Sequence, residues 1–428
     1  MCMNHEGKIV IGQQNYRIRL LLMVNDILGG GVERVANAHG RIFACNPNFE
    51  VALVLCKSRP DYFHEMRQYI IQDFRNGSKI SGVLNPNFNK AYMQEILDDF
   101  RPDIVHIHAY IQFGIGAMQA LLEYKNKNEC YVVMTHHTYS YLCPNDSFFN
   151  YRTNRICERC VKCRKIQLLF HNCYGSFFGS LGKYLQKRGF QKIFQKGLID
   201  SHITPSNFLR NKLLRKEPNM NVTTIQNPCF EYIAEEIPQK QSGKIVYFGR
   251  ISREKNVLAA AETVIHYSYN INLVIIGNGP DEQRLKNFLE AKKDENENKV
   301  TFINEFMSIE KLYHIISDAE YFILPSIVYE TAGISIIESL NLGMTPIVSN
   351  HGSMKEIVKQ AGIGYVFDPN DIKSISNAIE KAVTNRNEDE KKFNYFVRAF
   401  LEEYTENAYF SKIFEVYNAH VREQNENR

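Results

Sequence analysis

The stretch Tyr329–Leu340, YETAGISIIESL, sets two carboxylates, Glu330 and Glu338, on either side of the seven-residue run TAGISII. NLGMTP follows, and its Gly343 and Pro346 suit a helix stop and the start of a new strand. Glu338 is therefore expected within a helix and Glu330 just ahead of it. Treated as eight residues of helix, the two backbones stand roughly 12 Å apart and are rotated by about 80°. A retaining glycoside hydrolase brings its two carboxyls to about 5 Å, so a shared acid/base pair fits this spacing poorly. Two carboxylates holding different hydroxyls of one long ligand fit it better. An amphipathic helix with an exposed glutamate at each end is the bland alternative.

The chain has 428 residues, a length that suggests two or three domains. Hydrophobic content of 44% and charged content of 23% are those of a soluble globular protein. No apolar run approaches the length of a membrane span, and RLLLMV near residue 20 is too short and too late for a signal peptide. A cytoplasmic enzyme is the expectation. Net charge is +4, but between Lys162 and Lys216 twelve Lys/Arg face one acid, Asp200; that segment carries +11 and the remainder about −7. An anionic partner or membrane surface would meet this face first.

In the first half, RIRLLLMVN reads as a buried parallel strand. Gly29, Gly30 and Gly31 then precede a helix with apolar Val32, Val35, Ala36 and Ile42. Glycines at a helix amino end let backbone N–H groups approach a phosphate, although a plain tight turn has the same look. Arg34 stands where a dinucleotide G-x-G-x-x-G would need its third glycine. FEVALVLC (49–56) and Ile104–His108 are further strands, and CYVVMTHHTYS delivers His136 and His137 to a strand end as His106 and His108 are delivered to another. Alternating β and α units point to a doubly wound sheet with ligands at the carboxyl ends of its strands.

Cys143, Cys157, Cys160, Cys163 and Cys173 cluster within about thirty residues. With no secretion signal a disulfide framework is not expected; four of the five thiols could hold a structural zinc, or all could be reduced packing cysteines. FFGSLGKYLQKRGFQKIFQKG (177–197) mixes aromatics and lysines at helical spacing. It reads either as a helix packed on the sheet or as a surface for anionic lipid.

After a polar linker at 229–242 the alternation restarts with KIVYFGRISREKN. Arg250 and Lys255, five apart beyond a strand end, can converge on two phosphates. Fixed cations there would stabilise a departing diphosphate. Gly277-x-Gly279 has Glu282 in place of a third glycine, which argues against NAD.

Glu330-x7-Glu338, Gly249-Arg250-x4-Lys255, Gly277-x-Gly279-Pro280, the Gly30-Gly31-x-Glu33-Arg34 turn and Thr135-His136-His137-Thr138 together resemble glycosyltransferase family 4, retaining enzymes of the GT-B fold. Thr138 stands where many relatives have Asp, and Ser353 replaces the second glycine of a Gly-Gly-x-x-Glu motif ending at Glu356. The resemblance implies two Rossmann-like α/β domains facing across a cleft. An acceptor domain would occupy 1–228 with a Cys-rich, basic insertion at about 140–197, a nucleotide-sugar domain 243–400, and a crossing helix 401–428.

It further implies His137, Glu330, Arg250 and Lys255 as catalytic groups. Gly30, Gly31, Thr331, Gly333, Ile334 and Glu338 would join Arg250, Lys255 and Glu330 in donor binding, with Glu330 on sugar hydroxyls and Glu338 on the ribose. With no D-x-D sequence, no catalytic metal is expected. The expected reaction moves sugar from a UDP- or GDP-sugar to a glycan or lipid-linked acceptor in envelope, capsular or exopolysaccharide synthesis, on the inner face of the membrane. A UDP-sugar epimerase or a non-catalytic sugar-nucleotide binder is the alternative, and nucleic acid is not an expected partner.

Overall fold

The computed structural model describes residues 17–26, 30–57, 66–71, 73, 85, 87–162, 173, 177–229, 239–266, 270–296, 299–305 and 307–426. Gly29, Cys163 and most of the linker lie outside the described residues.

The apolar runs of the first half become β1 (Ile18–Met23), β2 (Phe49–Leu55), β3 (Arg67–Ile70), β4 (Ile104–Ile107) and β5 (Tyr131–Thr135). A small antiparallel hairpin, β6 (Phe149–Asn150) and β7 (Arg155–Ile156), belongs to the insertion; β8 (Ser201–Thr204) and β9 (Val222–Thr224) follow. Seven of these form a parallel sheet ordered β3-β2-β1-β4-β5-β8-β9. β1, β4 and β5 are almost wholly buried, as strands covered on both faces must be.

The second lobe repeats the plan with β10 (Gln241–Phe248), β11 (Asn272–Ile276), β12 (Val300–Ile303), β13 (Ala319–Leu324), β14 (Thr345–Ser349) and β15 (Tyr365–Phe367). They form a parallel sheet ordered β12-β11-β10-β13-β14-β15. Each sheet reverses its winding once, between β1 and β4 and between β10 and β13. Such a switch point opens a crevice at the carboxyl ends of the flanking strands. Gly277 and Gly279 serve this crevice by close packing: a Cβ on either would lie 1.9 Å from Gly249 O or 2.2 Å from Ile251 O, on the loop leaving β10.

The last helix, Glu406–Glu426, starts five residues after the expected 401 and packs against the first lobe. Tyr409, Phe410, Ile413 and Tyr417 recur at helical spacing and join the buried cluster of Leu22, Phe43 and Phe49.

Two expectations change. The helix of the acidic motif runs only from Ile334 to Asn341, with Gly333 at its cap in the left-handed region (φ 61°). Glu330 lies in the non-helical approach, so a separation reckoned on eight helical residues does not apply. The basic segment is also less exposed than its composition implies. Lys187 is 2% exposed and paired with Asp146, and Lys212 is paired with Glu158. Phe190 and Ile193 place the helix Phe177–Phe194 against the sheet, as the packing alternative held, while Phe177 and Phe178 at its start are exposed.

Candidate active site between the lobes

The loop leaving β10 carries Arg250 and Lys255; the loop leaving β13 carries Glu330 and Thr331. Lys255 Nζ stands 2.6 Å from Glu330 Oε1. Burial works to raise the Glu330 pKa, but the Lys255 ammonium outweighs it and the net shift is downward, so the carboxylate is ionised at neutral pH. Arg250 is exposed at the same strand end and has no ion-pair partner among the described residues. Its fixed charge is open to a ligand.

The first lobe meets this loop directly. Thr331 Oγ1 donates to His137 O (2.9 Å), Ser206 Oγ to Thr331 O (2.6 Å), and Tyr139 OH to Glu330 O (3.1 Å). Gly31 abuts Ile334, and a Cβ on Gly31 would lie 3.1 Å from Ile334 Cδ1. Hence the amino ends of the helices Gly31–Ala44 and Ile334–Asn341 converge from opposite lobes. Neither cap, Gly30 or Gly333, offers a side chain to the first-turn N–H groups. Uncapped donors at the positive ends of two helices make a place for an anion.

Glu338 is 4% exposed; its Oε1 is ion-paired with Arg34 Nη2 at 2.7 Å and accepts a hydrogen bond from Tyr313 OH at 2.9 Å. Arg34 comes from the glycine-turn helix, so the residue that breaks the dinucleotide pattern is an interlobe ion-pair partner. Glu356 accepts from the N–H groups of Asn207 (2.9 Å) and Phe208 (2.7 Å). In doing so it caps a first-lobe helix, Asn207–Lys216, from the second lobe.

His137 contacts His108 rather than its neighbour Thr138: His137 Nε2 and His108 Nδ1 are 2.8 Å apart. It lines a first-lobe cavity of about 160 Å³ with Val32, Glu33, His108, Tyr110 and Thr138. Behind it, His39, His106 and His108 have ligand atoms within 4.8 Å of one another. All six of their ring nitrogens already meet a protein partner. A cation would have to displace those bonds, so the trio fits a hydrogen-bond network better than a metal site.

Sequence reasoning missed His39, Tyr409 and Tyr417. His39 sits mid-helix with no local motif, and the tyrosines reach it across more than 360 residues of sequence.

In the insertion, Cys143, Cys160 and Cys173 are buried and Cys157 is half-buried, all as free thiols. The Cys173 thiol bonds to Cys157, and that contact and burial raise its pKa, with Cys160 and Cys143 beside it. Burial raises the Cys143 pKa, against the pull of the nearby backbone N–H groups of Asn145, Phe148 and Ser147.

Two switch-point crevices face each other, with cations and acids in one and histidines in the other, and this arrangement defines a GT-B protein. Residues 29–229 match the glycosyltransferase family 4 description and residues 230–399 match glycosyl transferases group 1. The chain belongs to glycosyltransferase family 4.

The structure of Anabaena HepE in complex with UDP and glucose superimposes with a TM-score of 0.64 at 12% identity, covering 94% of this chain and 100% of that one. The 2-deoxystreptamine N-acetyl-D-glucosaminyltransferase of Niallia circulans is 26% identical over 145 residues, 33% of this chain and 36% of that protein. The O-antigen chain mannosyltransferase B of Escherichia coli is 27% identical over 216 residues, 45% and 53% respectively. The chain thus spans 36% and 53% of the length of these two curated relatives.

Proposed function

We propose that the protein is a retaining glycosyltransferase that moves a sugar from a UDP- or GDP-sugar to a glycan or lipid-linked acceptor, in cell-envelope or extracellular polysaccharide synthesis. The observation that carries this reading is the Lys255–Glu330 pair at 2.6 Å, set at the second sheet's switch point and facing the glycine turn and His137. In the free protein the two neutralise each other. A sugar diphosphate offers each a better partner: phosphate oxygens for Lys255 and Arg250, sugar hydroxyls for Glu330. Gly30, Gly31, Gly333 and Ile334 supply the N–H groups and close approach for the diphosphate, Thr331 steadies the loop against His137, and Glu338 exchanges part of its bonding with Arg34 and Tyr313 for the ribose. These fixed charges lie where the leaving group gains negative charge, which is where stabilisation acts on the transition state.

The acceptor occupies the first-lobe cavity beside His137. Because the HepE neighbour was solved with UDP and glucose, UDP-glucose is the first donor to test, with GDP-mannose as the contrast. Incubation with donor alone separates transfer from epimerisation, since only an epimerase yields a new nucleotide sugar without acceptor. No catalytic metal is invoked.

Exposed Phe177 and Phe178, with exposed Arg188 further along the same helix, support peripheral contact with anionic lipid. Among the described residues no helix is long and apolar enough to cross a membrane. Flotation with anionic but not neutral vesicles, lost in Phe177→Ser/Phe178→Ser, tests the contact; equal recovery with both vesicle types counts against it.

A further inference from the structure

A single buried hydrogen-bond network joins the last helix to the first-lobe cavity. From the cavity inward, His137 Nε2 meets His108 Nδ1 (2.8 Å) and His108 Nε2 meets His39 Nδ1 (3.1 Å). His39 Nε2 meets the Tyr417 hydroxyl (3.0 Å), which meets His106 Nδ1 (2.6 Å). His106 Nε2 ends the path on Thr135 Oγ1 (2.7 Å), and Tyr409 adds a 3.0 Å contact to His39 Nδ1.

Burial keeps these rings neutral. A neutral imidazole has one N–H and one bare nitrogen, so each ring that donates on one side accepts on the other. The protons therefore shift as a set, and only two arrangements place a single proton in every contact along the path.

Tyr409 selects between them. Its hydroxyl is buried, and His39 Nδ1 is its hydrogen-bond partner. Were that nitrogen protonated, the tyrosine's own proton would be stranded, at the cost of a buried unsatisfied donor. With Nδ1 bare, Tyr409 O–H and His108 Nε2–H both donate to it. His108 Nδ1 is then bare and accepts from His137 Nε2–H, which leaves His137 Nδ1 bare. In the other direction His39 Nε2–H donates to Tyr417, Tyr417 to His106, and His106 to Thr135, whose own proton can turn to the cavity it lines. His137 Nδ1 has no hydrogen-bond partner among the described residues.

We propose that Tyr409 is a positioning residue that, through His39 and His108, fixes His137 with an unprotonated Nδ1 for the first-lobe cavity, where it accepts a hydrogen bond from a hydroxyl of the sugar acceptor. The nature of that ligand rests on the glycosyltransferase reading; the protonation does not.

The test is long-range proton–nitrogen correlation on the full chain labelled with ¹⁵N-histidine. In the unmodified protein His137 should show a bare-type Nδ1 and an N–H-type Nε2. In Tyr409→Phe both signals should move toward an average of the two tautomers, and kcat should fall roughly three- to tenfold, about what one hydrogen bond supplies, with KM for donor unchanged. A protonated His137 Nδ1 in the unmodified protein overturns the proposal, as does a Tyr409→Phe variant with unchanged nitrogen signals. Should Tyr409→Phe not fold, the unmodified protein's spectrum decides alone. A chain with bare Nδ1 that transfers no sugar refutes the proposed function and keeps the assigned tautomer.

Discussion

Arg34 of the first lobe and Glu338 of the second are ion-paired at 2.7 Å, and Tyr313 shares the same carboxylate oxygen. With Glu338 almost fully buried, removing Arg34 strands its charge. Arg34→Ala should lower unfolding free energy by about 2–3 kcal/mol, less than the roughly 3–5 of a fully buried pair because Arg34 remains 28% exposed. Urea denaturation of Arg34→Ala, Glu338→Gln and the double variant measures this. The double should be less damaged than the two singles added together, and additive losses would mean the pair is not coupled.

Lys255→Ala should keep the fold and reduce transfer by roughly 100-fold or more, the scale of losing one preorganised charge at a developing anion. Retained turnover would remove Lys255 from the site. The same variant has a stability signature. The folded pKa of Glu330 lies below its ordinary 4.5, so the pairing stabilises the fold fully above that value and is lost as pH falls through the folded pKa. The difference in melting temperature between wild type and Lys255→Ala should therefore shrink on going from pH 7 to pH 3.5.

Burial depresses the pKa of seven histidines: His39, His106, His108 and His136 well below 6.5, His137 and His202 to about 4, and His351 below 6.5. Groups held neutral by the fold regain protons on unfolding, so their contribution is complete above pH 6.5 and falls away from there toward pH 4. Each proton taken up steepens the decline by about 1.4 kcal/mol per pH unit. Unfolding free energies at pH 7, 6 and 5 should show uptake of several protons near pH 5, and a flat profile would contradict the neutral network.

Much of the architecture was legible in the sequence because parallel strands buried on both faces must be short apolar runs, and Ile18–Met23, Ile104–Ile107 and Ala319–Leu324 are such runs. Arg250, Lys255 and Glu330 were legible for a related reason: each lies just past a strand, where a doubly wound sheet puts its ligand loops. Partners across the cleft were not. Arg34 registers in sequence only as a misfit in a glycine pattern, and Glu356 only as the end of a motif. Their roles depend on the relative placement of two lobes. The histidine network was half visible, since strand ends expose His106, His108 and His137, while His39 and Tyr409 join it through helix packing that no local periodicity encodes.

The cysteine cluster yields a prediction of its own. As a proposal, Cys143, Cys157, Cys160 and Cys173, with Cys163 as a substitute, hold one structural zinc, the Cys173–Cys157 contact having Cys160 and Cys143 beside it. Protein purified without chelator should contain close to one zinc per chain by elemental analysis, and should lose metal and thermal stability together when a strong chelator is added. A zinc content near zero under reducing conditions would leave the cysteines as packing residues.

Donor binding is the most direct measure of the central claim, that Arg250, Lys255, Glu330 and the two helix amino ends form one nucleotide-sugar site. Titration calorimetry with UDP-glucose and GDP-mannose should give saturable binding of at least one, with a matching rise in melting temperature, and Arg250→Ala/Lys255→Ala should abolish both effects while remaining folded. Equal binding by the double variant, or no binding of any nucleotide sugar by the unmodified chain, would contradict the claim.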